Sequence, residues 1–255
     1  MDDRYVNKSL QRALSLLDVF TTDVNALTAT EIANELQTLP GTIYPTLATL
    51  ERTGYLIRDE NKRYSLGLKM LERANLVLNT FDLRAVAQQS LKDVAREHNV
   101  NAHLAVLYET SVMYLHREEG FPSVIIREVV GQRVPAYCTA LGKVLLATLP
   151  DVEIDQYLDS TDLQPVTPFT ITDPRRLRGE LKAVAEQGYA VDNEEFHEGS
   201  LCVAAPICDY RGHIIAATSL SVAKSIVAGG QLQRFVDVVI GCAAKISHQQ
   251  GYEAF

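Results

Sequence analysis

Thr42-Ile43-Tyr44-Pro45-Thr46-Leu47-Ala48-Thr49-Leu50-Glu51-Arg52-Thr53-Gly54-Tyr55-Leu56-Ile57-Arg58-Asp59-Glu60-Asn61-Lys62-Arg63-Tyr64-Ser65-Leu66 reads as a helix, a stop, a strand, a turn and a strand. Ile43, Leu47 and Leu50 recur at the spacing that collects them on one side of a helix, and Gly54 is the left-handed stop expected after it. Tyr55 to Arg58 and Arg63 to Leu66 have strand composition around the polar turn Asp59 to Lys62, a small hairpin. Upstream, Leu10, Ala13, Leu14, Leu16, Leu17 and Phe20 fall at helical spacing from Ser9 to Phe20, with Arg12 and Asp18 on the other side. A second helix is predicted from Thr30 to about Leu36, capped by Thr28 or Thr30 and burying Ile32, Ala33 and Leu36. Three short helices followed by a hairpin is the layout of a winged helix-turn-helix, whose third helix enters the major groove while the hairpin touches the backbone. A small helical interaction domain shares that pattern.

Arg4, Lys8 and Arg12 along the first helix, and Arg58, Lys62 and Arg63 on the hairpin, are candidate phosphate contacts, which position a protein without specifying sequence. Any one of them alone is equally ordinary solvated surface. Thr42, Tyr44, Thr46 and Thr49 would be the outward residues of the third helix, offering hydroxyls and methyls to base edges. Pro45 is compatible with that helix only in its first turn, because an interior proline removes a hydrogen bond and clashes with the carbonyl four residues back, at about 3 kcal/mol. The expectation is therefore Thr42 as N-cap and Pro45 at the third helical position.

Leu66, Leu68, Met70, Leu71, Ala74, Val77 and Leu78 continue helically to about Thr80, apolar over more than one face. A helix of that kind covers something besides its own domain or is buried within one chain. A length of 255 residues suits two domains, and 47% hydrophobic with 22% charged residues is an ordinary globular composition. The net charge of −8 argues against bulk attraction to anionic polymers or membranes. Residues 1–80 carry nine Lys plus Arg against ten Asp plus Glu, so the excess acid belongs to the rest of the chain. The opening Met1-Asp2-Asp3-Arg4-Tyr5-Val6 lacks the apolar stretch of a signal peptide, and no run approaches the ~18 apolar residues needed to span a bilayer. A cytoplasmic protein without membrane association is expected, with Cys138, Cys202, Cys208 and Cys242 as reduced thiols and no metal or cofactor.

Beyond Asp82, taken as an N-cap, a helix is predicted to about His98, then strands at Ala102 to Tyr108, Val112 to His116 and Val124 to Val130. A helix from Ala140 to Leu149 is stopped by Pro150, and another runs from about Pro174 to Gln187. Strands at Leu201 to Cys208 and His213 to Val222 precede a long helix from about Gln231 to Gln249. Strands and helices without a strand-helix-strand rhythm indicate α+β, an antiparallel sheet flanked by helices.

The turn Asp209-Tyr210-Arg211-Gly212 joins two of those strands. With Cys208 opposite His213, Cys202 falls opposite Ser219. One face then carries Ser200, Cys202, Ala204, Ala217, Ser219 and Ser221, and the other Leu201, Val203, Ala205, Ile207, Ile214, Leu220 and Val222. The second face is core. The first is small and weakly polar, and either leaves room for a small polar ligand or is solvated or covered by a helix; a bulge would break the register. Thr139 is a natural N-cap for the helix opening Ala140-Leu141, whose free amides favour an anion.

Other chemistries fit less well. Gly142-Lys143 fails as a phosphate loop, which needs Gly at 137 and Ser or Thr at 144, where Tyr137 and Val144 stand. His197, Cys202, Cys208 and His213 have zinc-like spacing, but strand parity leaves Cys202 and His213 far apart along the ladder. Cys202, His197 and Asp192 are an alternative set of nucleophile, base and orienter for a thiol hydrolase.

Ser9-Leu10-Gln11-Arg12-Ala13-Leu14, Leu50 to Leu56, Arg63 to Leu68, Gly142 to Ala147, Gly188 to Glu195, Gly199 to Pro206 and Gly212 to Ala217 together resemble the isocitrate lyase regulator (IclR) family of bacterial transcription factors. The resemblance implies a winged helix-turn-helix over 1–66, a linker helix over 67–81 that pairs two chains, and a GAF-like effector domain over 82–255. It further implies a dimer or tetramer on a pseudo-palindromic DNA operator, and a small organic acid (sugar, keto or aromatic) as effector. Thr139, Ala140, Asp192, Cys202, Ser219 and Ser221 match the family's effector positions, and the amides of Ala140 and Leu141 are the expected contacts of the acid's carboxylate. Where the family usually carries Ser-Thr-Val-Tyr-Arg, this chain has Gly41-Thr42-Ile43-Tyr44-Pro45, so it is expected to read DNA with hydroxyls rather than a guanidinium, on a helix that starts slightly later.

Overall fold

The computed structural model describes residues 7–21, 24–80, 82–120, 129–227 and 231–253, with the backbone alone for 75–80 and 82. The chain divides into two compact units, Met1–Thr80 and Phe81–Phe255. In the first, α1 (Lys8–Asp18) is opened by the Asn7 side chain, which accepts from the amides of Ser9 and Leu10 at 3.1 Å each. The short β1 (Leu27–Thr28) runs directly into α2 (Ala29–Glu35). Of the two caps expected, Thr28 is the one used. Its hydroxyl accepts from the Glu31 amide at 3.3 Å while the Glu31 carboxylate accepts from the Thr28 amide at 2.7 Å, a reciprocal capping box.

The third helix, α3, spans Pro40–Arg52 with Leu39 at its N-cap, so the expected start at Thr42 is wrong. Pro40 takes the first helical position, where its preset φ helps and its missing N–H costs nothing. Helix therefore begins before the threonine that residue type alone favours, and Pro45 lies in the helix interior as its sixth residue. The carbonyl it crowds is that of Gly41, a residue at which even an added Cβ would meet nothing within 4 Å. The helix is longer and earlier than expected, not shorter and later.

β2 (Leu56–Arg58) and β3 (Arg63–Leu66) form the hairpin, and β1 joins it to give the order β1-β3-β2. Asp59 shapes the turn by accepting from the Arg63 amide at 2.8 Å. Leu16, Ile32, Ile43, Leu47, Leu56 and Tyr64 close the core beneath it. α4 (Leu68–Thr80) follows at once. The Gly67 amide donates to the Tyr55 carbonyl at 2.8 Å and the Lys69 amide to the Gly54 carbonyl at 3.4 Å. A Cβ on Gly67 would overlap the Gly54 carbonyl oxygen, so only glycine permits this crossing.

The second unit is built on a six-stranded antiparallel sheet in the order β6-β5-β4-β9-β8-β7. Its strands are β4 (Asn101–Tyr108), β5 (Ser111–Glu118), β6 (Arg133–Pro135), β7 (Ala190–Asn193), β8 (Ser200–Cys208) and β9 (Ile214–Ala223). One face packs on α5 (Asp82–His98) and α9 (Leu232–Gln249) through Leu91, Leu104, Ile207, Leu220 and Val239. The other face is covered by α6 (Ala140–Leu146), with α7 (Asp151–Ser160) and α8 (Pro174–Gln187) outside it. α8 has the bounds predicted, with Asp173 as its cap and Gly188, at φ 78°, as its stop. α6 stops at Leu146 rather than Leu149. Pro150 is less a stop than the N-cap of α7, whose acidic first turn carries Asp151 and Glu153. The strand expected at Val124 to Val130 falls largely outside the described residues.

The β8/β9 register differs from expectation by two residues: Cys202 lies opposite Ser221, and Ser219 opposite Ala204. A slip of two preserves facing, so the small polar face survives intact. A bulge between Ile207 and Cys208 reverses parity beyond it. Ile214 is accordingly 36% exposed rather than part of the core.

Candidate functional site

In the first unit, Arg12 of α1 and Thr42, Pro45, Thr46 and Thr49 of α3 line one groove of about 470 Å³. At about 100° per residue the three threonines fall on one flank of the helix and Tyr44 on the other. The structure thus brings the threonines together with Arg12 and sets Tyr44 apart, exposed. The outermost line between them holds Gly41, Pro45, Ala48 and Arg52, so Pro45 occupies the most prominent position of the helix. Thr49 is exposed, and its hydroxyl donates to the Pro45 carbonyl at 2.8 Å.

On the hairpin, Arg58 is exposed with its guanidinium 5.4 Å from the centre of the Tyr64 ring, and Lys62 is exposed at the turn with φ 62°. Arg63 is otherwise employed. Its guanidinium donates to the Ala26 carbonyl at 2.7 Å and lies 3.5 Å from Glu31, tying the hairpin to the capping box of α2. Lys8 begins α1, exposed, and Arg4 lies outside the described residues.

In the second unit, strand pairing assembles most of the remaining candidates. Asp192 on β7 pairs with Cys202 on β8, Cys202 with Ser221 on β9, and Ser221 with Asn101 on β4. The neighbouring row runs from Ala204 through Ser219 to His103. Directly opposed residues share a face, so one polar surface crosses four strands. Cys202 Sγ lies 3.1 Å from Ser221 Oγ and 3.6 Å from Ser200 Oγ. α6 packs across this surface. Thr139 caps it, accepting from the Gly142 amide at 3.1 Å, and Ala140 and Leu141 are buried. A Cβ on Gly142 would collide with the Ala136 backbone, so glycine is what lets α6 lie close against the segment that leads into it from β6.

Lys143, in the middle of α6, is wholly buried, a role sequence reasoning missed by discarding it with the phosphate loop. Its ammonium donates to Glu195, to Glu180 at 3.3 Å and to the Val191 carbonyl at 3.1 Å. Glu195 is buried too, and its Oε2 meets no partner among the described residues. The amides of Glu195 and Phe196 donate to Asp192 Oδ1 at 2.7 and 3.4 Å. Burial pushes the Asp192 carboxyl up to about 7, with the neighbouring Glu195 adding to the rise and the backbone amides and Lys143 opposing it. Burial also raises Glu195, against the pull of Lys143, and pushes the Cys138 thiol up to about 12. One buried cation thus faces two buried carboxyls.

Two alternatives lose ground. The His197 imidazole packs on the Phe196 ring, 4.3 Å between centres, and hydrogen-bonds to nothing among the described residues, while Asp192 Oδ1 is held by backbone amides. Nucleophile, base and orienter are not assembled. Among the described residues no group of three His, Cys, Asp or Glu is placed to hold a metal, and no helix is long and apolar enough to cross a membrane. Asn101 and His103 went unread as members of the polar face, although their alternation with Ala102 and Leu104 was present in the strand.

The same two units are recognisable in known proteins. The family described as "Bacterial transcriptional regulator IclR C-terminal" matches residues 75–248, and the "IclR helix-turn-helix domain" matches residues 9–60. The chain is 33% identical over 248 residues to the HTH-type transcriptional regulator XynR of Escherichia coli (strain K12), covering 97% of this chain and 98% of that one. The Thermotoga maritima IclR crystal structure superposes with a TM-score of 0.77 at 33% identity, over 96% and 99% of the two chains. An IclR homolog from Microbacterium hydrocarbonoxydans, complexed with 4-hydroxybenzoate, superposes with a TM-score of 0.85 at 25% identity, over 94% and 98%. With a helix-turn-helix unit, an effector unit and both family matches in chain order, this chain belongs to the IclR family of bacterial transcriptional regulators.

Proposed function

We propose that the chain acts in the cytoplasm as a ligand-responsive regulator, binding a pseudo-palindromic operator as a dimer or tetramer and a small organic acid through its second unit. The observation that carries this reading is the row Asp192, Cys202, Ser221 with Ser219 beside it, buried except for the half-buried Cys202, on the sheet face that α6 covers. Polar side chains are costly to bury without a use. The free amides of Ala140 and Leu141 suit the carboxylate of the acid, and Asp192, Ser219 and Ser221 suit its hydroxyl or carbonyl groups, with Thr139 and Cys202 completing the wall. The complex of the Microbacterium homolog with 4-hydroxybenzoate supports a small acid as the ligand class.

On the DNA side, Arg12, Arg58 and Lys62 hold phosphates, and Thr42, Thr46, Thr49 and Tyr44 face the bases. Arg63 serves the hairpin's own structure first. Leu68 and Leu71, both well exposed on α4, are the residues through which two copies pair their reading heads. The unit over 1–66, the linker over 67–81 and the remainder would then act as head, coupler and sensor.

The reading is tested by footprinting the operator and titrating carboxylates against operator affinity and thermal stability. A ligand at about 100 times its Kd adds about 2.7 kcal/mol to the folded state, and it regulates only if it binds one arrangement of the heads better than another. A carboxylate library that never alters the affinity of a footprinted operator removes the sensing function. Rapid, ligand-independent alkylation of Cys202 would instead favour the hydrolase.

A further inference from the structure

We propose that His103 is a positioning residue of the effector site, acting through the Ser219 hydroxyl to set which hydrogen-bonding class of acid the site accepts; this rests on the effector reading above. β4 alternates so that Asn101 and His103 share the face that carries Ser219 and Ser221, and the register places His103 directly opposite Ser219. His103 is 1% exposed and Ser219 3%. Ser219 Oγ and His103 Nδ1 lie 3.4 Å apart. The His103 ring meets the Tyr114 ring edge-on, at 5.6 Å between centres and 64°, and the His103 backbone carbonyl accepts from Thr218 Oγ1 at 2.9 Å.

An uncharged imidazole has one donor and one acceptor nitrogen, while a serine hydroxyl has one proton and two lone pairs. If Nδ1 accepts, the Ser219 proton is committed to His103 and the hydroxyl shows lone pairs to the ligand, which must then donate. If Nδ1–H donates, the Ser219 proton is free for a carbonyl or carboxylate oxygen. Either tautomer freezes a rotor that would otherwise adapt to both kinds of ligand. Leaving a buried polar group unmatched is what makes such a site selective, so the selectivity attributed to Ser219 is set one strand away.

The experiment uses the full chain, with the pairs 4-hydroxybenzoate and benzoate, and lactate and propionate, as probes by calorimetry. The wild type separates the members of at least one pair by about tenfold in Kd, the worth of one buried hydrogen bond. His103→Leu brings that ratio close to one, and His103→Asn, which restores a polar atom near Nδ1, recovers most of it. In a Ser219→Ala background the His103→Leu change disappears. Equal weakening of both members by His103→Leu, or the same change of ratio with and without Ser219, overturns the proposal and leaves only a packing role. A ligand-free arm separates it from the effector reading: in ¹⁵N-histidine-labelled protein, the His103 Nδ1 resonance moves on Ser219→Ala, and an unmoved resonance overturns the coupling. If the resonance moves but no probe binds the wild type, the coupling stands and its assignment to the effector site falls.

Discussion

Asp192→Asn isolates the electrostatic strain of the buried face. Asn presents the same Oδ1 to the amides of Glu195 and Phe196, so the local turn is kept while the titrating group is removed. The wild-type carboxyl titrates near 7 in the folded protein against an ordinary value of 3.8, with burial as the main cause. A raised carboxyl pKa means that the unfolded chain gives up its proton first as pH rises. The folded state then loses stability from about pH 4 upward, and the loss levels off above the folded pKa. The cost of that one group is about 1.5 kcal/mol at pH 5 and about 4 kcal/mol at pH 8. The stability of Asp192→Asn relative to the wild type should therefore grow by about 2.5 kcal/mol between pH 5 and pH 8. Any fixed cost of the new amide shifts both ends equally. Urea unfolding at intervals of one pH unit, followed by far-UV circular dichroism because the chain has no tryptophan, measures the difference. A difference that stays flat across the range would refute the argument.

Three further outcomes follow from the same geometry. Lys143→Met strands Glu195 and should cost about 3–5 kcal/mol, whereas Lys143→Met with Glu195→Leu should recover most of it; denaturant midpoints that fall equally for both would show that the charges are not paired in solution. Gly142→Ala, which drives a methyl into the Ala136 backbone, should destabilise the effector unit by about 3 kcal/mol, and a thermal midpoint within error of the wild type would contradict the close seating of α6. Pro45→Ala should stabilise the first unit, by up to about 3 kcal/mol, as read by hydrogen exchange of α3 amides; unchanged protection would mean the Gly41 carbonyl is not strained.

Where local chemistry decides an element, the sequence was readable to the residue. α8 is an example: Asp173, Pro174 and Gly188 mark cap, first position and stop, and the helix runs between them. α3 went wrong because two residues compete to open it, and Pro40 prevails over a threonine better suited by type. β1 and β6 are two and three residues long and exist only because a neighbouring strand is there to pair with, which no local pattern announces. The candidate effector face was legible because parity depends on register only modulo two, so a slip of two residues left Cys202, Ser219 and Ser221 on one side. Beyond the bulge that protection ended, and Ile214 changed sides. Lys143 was unreadable as a buried cation, since its partners Glu180 and Glu195 come from segments 37 and 52 residues away.

The crossing at Gly67 fixes how motion can travel through the reading head. α4 is hydrogen-bonded at its first turn to the end of α3, through Tyr55 and Gly54, and there is no slack there for a side chain. A spindle clamped in this way cannot tilt without turning what it is clamped to. α4 has 13 residues, a shaft of about 20 Å. A sideways push of about 3.5 Å at its Thr80 end corresponds to about 10° at α3, given that length. The two glycines thus let α4 meet the end of α3 backbone to backbone, and a tilt of α4 is expected to carry to α3 rather than be absorbed between them.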